Sequence, residues 1–248
     1  MKQRALQAIA AFGLLTRLPV WRLTDAAPAE FVRSVWAYPI VGAVIGGLGG
    51  IFYALAIHIG VASPIAALLA VGCMILLTGA LHEDGLADTI DGFGGGRTAE
   101  RRLEIMRDSR IGSYGALALI VAVGLRVAAI ATLADPVRVL IALVVAGALA
   151  RGAILVVLLT AKPARTDGMA AGLARVPMGE TVAGLAVPIV LGTILLPFSR
   201  MLLLALIAVV IAWAIARAAT SRIDGHTGDV LGATAVISEC VALLVLTL

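Results

Sequence analysis

Three aspartates, Asp84, Asp88 and Asp91, fall within eight residues of an otherwise apolar chain. Their i, i+4, i+7 spacing puts all three carboxylates on one face of an α-helix. Left unneutralised, they would repel one another. A divalent cation removes that repulsion, and hard oxygen donors select Mg²⁺, Mn²⁺ or Ca²⁺ over zinc. His82 precedes the cluster and is a candidate ligand, proton carrier or orienting group. Gly92-Phe93-Gly94-Gly95-Gly96 follows it. Glycines let backbone N–H groups converge on phosphate, though they also simply make mobile loops. Arg97, Arg101, Arg102, Arg107 and Arg110 come next, interleaved with Glu100, Glu104 and Asp108. Some of these will pair with one another along a helix. Arginine also grips phosphate through two donors at once, so Arg107-Asp108-Ser109-Arg110 is a candidate seat for a diphosphate.

A second polar cluster opens the last apolar segment: Asp224-Gly225-His226-Thr227-Gly228-Asp229, with Glu239 deeper. Arg126 and Arg151 interrupt two other apolar segments. Ionised side chains inside a membrane segment are costly, so they are functional or paired. For Glu239 the two readings are a share in the site and a purely structural ion pair with Arg151.

The elements that must carry these groups are membrane helices. Hydrophobic residues make up 61% of the 248 and charged residues 14%. Soluble domains average roughly 45–50% and about 25%. A crossing helix needs ~20 mostly apolar residues. Segments near 38–60, 63–81, 113–134, 138–161, 182–197, 201–217 and 230–248 meet that need. The expected fold is therefore an all-α, polytopic bundle of about seven spanning helices in a single domain, residues 1–248. Residues 1–20 resemble a signal peptide only loosely, because Arg17 interrupts the run and no small-residue cleavage site follows. They are read as an interfacial or re-entrant helix. Cys73 and Cys240 lie in apolar segments and are read as packing residues, with no zinc or disulfide spacing. Gly46 and Gly50 form a small-xxx-small pair suited to close helix approach.

Charge sets the expected orientation. The first 33 residues and the stretches 82–112, 162–181 and 217–229 together hold 15 of the 19 Lys and Arg. The opposite loops hold only Arg138 and Arg200. By the positive-inside rule the polar stretches, including 82–112 and 217–229, face the cytoplasm. The net charge of +4 thus reports topology. No basic stripe with interleaved aromatics points to nucleic acid.

The run His82-Glu83-Asp84-Gly85-Leu86-Ala87-Asp88-Thr89-Ile90-Asp91-Gly92, followed by Leu103-Glu104-Ile105-Met106-Arg107-Asp108-Ser109-Arg110-Ile111-Gly112, resembles the cobalamin synthase family, the adenosylcobinamide-GDP ribazoletransferases. Thr16-Arg17-Leu18-Pro19, Tyr38-Pro39-Ile40-Val41-Gly42 and Thr227-Gly228-Asp229-Val230-Leu231-Gly232-Ala233 with Glu239 extend the resemblance over the whole chain. Asp224 and His226 depart from the family pattern and receive no role.

The resemblance implies a bacterial inner-membrane enzyme with its active site facing the cytoplasm. It implies transfer of the phospho-cobinamide group of adenosylcobinamide-GDP to α-ribazole, or to its 5′-phosphate, with release of GMP and with Mg²⁺ as cofactor. Asp84, Asp88 and Asp91 then hold the metal, and His82 or a free carboxylate takes the hydroxyl proton. Arg107, Asp108, Arg110, Arg151, Asp229 and Glu239 line the substrate side. The partners implied are those two substrates and the lipid bilayer; a homo-oligomer is compatible with the sequence.

Two other functions fit the residues less well. A CDP-alcohol phosphatidyltransferase needs arginine where Asp88 stands and further aspartates that are missing. A divalent-cation transporter needs polar groups along a path through the membrane, whereas here charge is concentrated on one face.

Overall fold

Lipid offers no partner to a free N–H or C=O, so long apolar runs fold as helices. A computed structural model of the chain describes residues 2–20, 28–165, 172–173 and 176–248. Among these there is no strand, and one parallel bridge joins Pro163 to His226. The helices are α1 (Lys2–Leu15), α2 (Pro28–Arg33), a 3-10 turn (Ser34–Ala37), α3 (Tyr38–His58), α4 (Ser63–Thr78), α5 (Leu81–Gly95) and α6 (Ala99–Ile105). They continue as α7 (Ser113–Leu133), α8 (Pro136–Thr160), α9 (Met178–Leu195), α10 (Phe198–Ile223) and α11 (Gly228–Leu246). Their starts follow local chemistry. Pro39, Pro64 and Pro136 sit in first turns, where no N–H is needed. Asp135, Thr98 and Thr227 accept the N–H of Arg138, Arg101 and Val230 as N-caps.

Among the described residues, six helical runs are long and apolar enough to cross a membrane: Glu30–His58, α7, α8, α9, α10 and α11. The expected segment 63–81 is corrected. α4 has 16 residues and meets the test only together with α5, which turns away from it by 90°. The cause is local. Gly79 and Ala80 both take positive φ, 64° and 59°, and two left-handed residues in succession end one helix and redirect the chain. The polar stretch 82–112 is largely α5 and α6, with the three aspartates on a helix as their spacing implies. Parts of the stretches used to argue orientation, residues 21–27, 166–171 and 174–175, lie outside the described residues.

α8 and α11 are the inner helices. In their most apolar windows 78% and 72% of residues are buried, against 22–28% for α7, α9 and α10. The outer helices present Leu117, Ile120, Val190, Ile194, Leu206 and Trp213 on the outside, a surface suited to lipid. α3 lies along α8 more extensively than any other pair. Gly42, Gly46 and Gly50 make that approach, since a Cβ at Gly42 would overlap the Gly147 carbonyl and one at Gly46 the Leu143 carbonyl. α1 has 14 residues, about 21 Å at 1.5 Å per residue, short of a crossing. It is tied down instead: Trp36 Nε1–H donates to Gln7 Oε1 at 3.0 Å, and Arg4 packs over the Trp36 ring and pairs with Glu180. The starts of α3 and α9 and the whole of α1 therefore share one end of the bundle.

Candidate active site

The 90° bend aims α5 across the inner helix α11. The two cross where neither has a side chain. A Cβ on Gly85 would lie 2.7 Å from the Asp229 carbonyl oxygen and 3.2 Å from the Gly232 Cα. One on Gly232 would lie 3.2 Å from the His82 Cα. The crossing brings Asp84 and Asp88, on either side of Gly85, to the first turn of α11, where Asp229 stands. Thr227 holds that turn: its hydroxyl donates to Asp229 Oδ2 at 3.1 Å and accepts the Val230 N–H. Two motifs 145 residues apart, by the span from Asp84 to Asp229, thus form one acidic face.

The face crowds like charges. Asp88 lies on α5, outside the six spanning helices. Its carboxyl is pushed up to about 7, first by burial and then by the charges of Asp84, Asp229 and Asp91. Arg165 opposes this. The Pro163–His226 bridge sets that arginine in place: His226 N–H donates to the Lys162 carbonyl and Ala164 N–H to the His226 carbonyl, each at 2.8 Å. Arg165 also donates to the Leu103 carbonyl at 2.9 Å. The donor chemistry, clustered hard oxygens with a raised carboxyl among them, suits a hard divalent cation. Among the described residues, however, no three His, Cys, Asp or Glu side chains converge on a common point.

Asp91 is placed differently from its two neighbours. Gly112 and Gly115 N–H donate to its Oδ2 and Oδ1 at 2.7 and 2.9 Å. It caps the N-terminus of α7, where a carboxylate is favoured. A Cβ at either glycine would overlap that carboxylate.

Behind the acidic face lies a buried charge network. Arg126 on α7 donates to Glu83 at 2.8 Å and to Glu239 at 3.5 Å; Arg151 on α8 donates to the other Glu239 oxygen at 2.7 Å. Two arginines and two glutamates are neutral as a set, which removes most of the penalty of burying any one. The Arg151–Glu239 pair considered from sequence is therefore present, enlarged by Arg126 and Glu83. Both Glu239 oxygens are engaged. Arg151 is directed into this network, 3% exposed, and not toward the acidic face.

His82 sits between the network and the face. It is 3% exposed, and neither ring nitrogen has a hydrogen-bond partner among the described residues. Burial first, then Arg151 and Arg126, press its pKa well below the ordinary value, so the ring is neutral. His82, Asp84 and Asp229 border a cavity of about 150 Å³ whose remaining lining is mainly apolar, including Leu15, Ile154 and Leu231. A larger hollow of about 530 Å³, between α3 and α9, holds no ionisable group and has no comparable chemistry.

The arginine loop lies beyond Asp91. Arg110 and Asp108 pair with each other in solvent, at 2.7 Å, and the arginine holds the Asp108 carboxyl down to about 2. Arg107 is exposed on the same turn. Gly112 ties this loop to α5 through Asp91.

Glu83 and Arg165 were missed from sequence. Arg126 gave a signal for Glu83, since a buried arginine requires an acid nearby. Nothing local singled out Arg165, because the bridge to His226 that sets it in place is long-range.

Residues 7–247 match the family described as CobS, cobalamin-5-phosphate synthase. The chain is 44% identical to the adenosylcobinamide-GDP ribazoletransferase of Bradyrhizobium diazoefficiens, over 95% of this chain and 90% of that protein. It is 40% identical to the proteins of the same name from Allorhizobium ampelinum, over 94% and 93%, and from Ralstonia nicotianae, over 95% and 92%. No solved structure matches the chain. A match that covers both polar motifs and nearly all of the helices between them establishes that the chain belongs to the cobalamin-5-phosphate synthase family.

Proposed function

We propose that the protein transfers the phospho-cobinamide group of adenosylcobinamide-GDP to α-ribazole, or to its 5′-phosphate, and releases GMP. The observation that carries this is the acidic face formed by α5 and α11. The acceptor hydroxyl oxygen forms a bond to the phosphorus attached to cobinamide, the bond from that phosphorus to the bridging oxygen breaks, and GMP leaves with that oxygen. The hydroxyl proton passes to a carboxylate of the face or to His82. Such a transfer requires an anionic phosphoryl group to meet an oxygen nucleophile, so catalysis consists mainly of positioning and charge neutralisation.

Mg²⁺, when bound, would neutralise phosphate oxygens and stabilise the leaving group. Asp84, Asp88 and Asp229 are the residues proposed to hold it. Asp91 is assigned to anchoring α7, since both of its oxygens accept backbone N–H groups. Arg165 beside Asp88, with Arg107 and Arg110 on the loop tied to α5, supplies donors for the remaining phosphate oxygens. The Glu83–Arg126–Glu239–Arg151 network fixes the depth and rotation of α5 against α7, α8 and α11. The proposed setting is a bacterial inner membrane with the acidic face toward the cytoplasm, supported by the distribution of basic residues.

The test is direct. Purified protein with Mg²⁺, adenosylcobinamide-GDP and α-ribazole is expected to yield GMP and a cobalamin product in equal amounts. Absence of GMP with either acceptor form rules the proposal out.

A further inference from the structure

The cavity beside His82 has a composition that phosphate chemistry does not explain. Among the described residues its lining contains no lysine or arginine side chain to meet a phosphate. Two acids, Asp84 and Asp229, reach it, and leucine and isoleucine side chains from α1, α8 and α11 dominate the rest. An engineered cavity of about 150 Å³ lined by such side chains stays dry and takes up benzene. Here one polar group is added: a buried imidazole whose ring nitrogens have no hydrogen-bond partner among the described residues. A buried N–H without a partner is destabilising, and a bound group that accepts from it removes the penalty.

We propose that this cavity holds the heteroaromatic base of the acceptor, an apolar fused ring with one sp² nitrogen, and that a His82 ring N–H donates to that nitrogen. The inference rests on the transferase reading and extends it to the location of the base. With the base among Leu15, Ile154 and Leu231, the attached sugar extends to the wall where Asp84 and Asp229 stand. The acceptor hydroxyl then meets the acidic face, while the charged donor approaches from the side of Arg165. His82 becomes a binding residue for the base, which leaves the hydroxyl proton to a carboxylate.

The probe is benzimidazole itself, without sugar or phosphate, measured by equilibrium dialysis against the purified full chain in detergent. Its hydrocarbon isostere indene serves as the control. Wild-type protein is expected to bind benzimidazole saturably, with displacement by α-ribazole, and to prefer it to indene. His82→Phe should remove that preference while indene still binds. Ile154→Ala should shift the benzimidazole-to-5,6-dimethylbenzimidazole ratio toward the larger base by about tenfold or more, the scale of a methyl group in an apolar pocket. Leu15→Trp should weaken both bases about tenfold or more.

Thermal melts identify any variant that fails to fold, and the remaining two still decide. Absence of saturable benzimidazole binding, or base ratios unchanged across the variants, overturns the inference. GMP release from the donor, measured in parallel, separates the two readings. Transfer without base binding leaves the function standing and the cavity wrong; base binding without transfer does the reverse.

Discussion

Gly85 on α5 and Gly232 on α11 stand face to face, so close that a Cβ on the first would lie 3.2 Å from the Cα of the second. This contact joins the two polar motifs. Gly85→Ala and Gly232→Ala should push the helices apart and separate Asp84 and Asp88 from Asp229. Overpacking at such a site costs about 1–3 kcal/mol. Transfer activity is expected to fall by more than the loss of stability explains, read as kcat against the melting temperature. An alanine variant with wild-type kcat would mean that the contact does not set the site.

Asp88 gives a pH signature. Its pKa of about 7 lies above the ordinary carboxylate value, so between about 4 and 7 the folded protein binds more protons than the unfolded chain. Stability of cation-free protein should therefore fall as pH rises through that window and level off above 7. Mg²⁺ should restore it most where Asp88 is ionised. Melting temperatures in EDTA and in Mg²⁺ from pH 5 to 8 measure this, and Asp88→Asn should flatten the EDTA curve. An equal slope in the variant would remove Asp88 as the source.

The buried network predicts a specific rescue. Glu239→Gln leaves Arg151 without its acid and Arg126 with Glu83 alone, and breaking a buried pair costs about 3–5 kcal/mol. Adding Arg151→Met leaves Arg126 and Glu83 as a neutral pair, so the double variant should regain most of that loss. Chemical denaturation in detergent measures it. No recovery in the double variant would contradict the pairing.

Much of this arrangement is legible in the residues themselves. The i, i+4 spacing of Asp84 and Asp88 dictates a shared helical face. The small residues Gly46 and Gly50 mark the α3–α8 approach. Arg151 and Glu239 are each conspicuous in apolar surroundings, and one pairing alternative follows from that alone. What was not legible depends on long-range placement. Asp91 shares the spacing of its neighbours, yet the N-terminus of α7 engages it. Gly79 is a natural helix stop, but nothing about Ala80 announces a second left-handed residue, and without it the 90° turn and the shortened α4 are hidden. Glu83 reads as one more acid in a charged run until Arg126 is seen beside it.

Topology can be read independently. Ser109 and Ser221 are exposed on the polar stretches assigned to the cytoplasm. Cysteines there, in a chain with Cys73 and Cys240 replaced by alanine, should resist an impermeant thiol reagent in intact spheroplasts and react after lysis. Prompt labelling from outside would reverse the orientation.

The central claim is that Asp229 joins Asp84 and Asp88 in one cation-assisted phosphoryl-transfer site. The decisive measurement is the Mg²⁺ dependence of GMP release for Asp84→Asn, Asp88→Asn and Asp229→Asn beside the wild type, with melting temperatures recorded in parallel. All three variants are predicted to stay folded, to lose on the order of a hundredfold or more in kcat, and to need more Mg²⁺ for half-saturation. A folded Asp229→Asn protein with wild-type kcat and wild-type Mg²⁺ dependence would contradict the account.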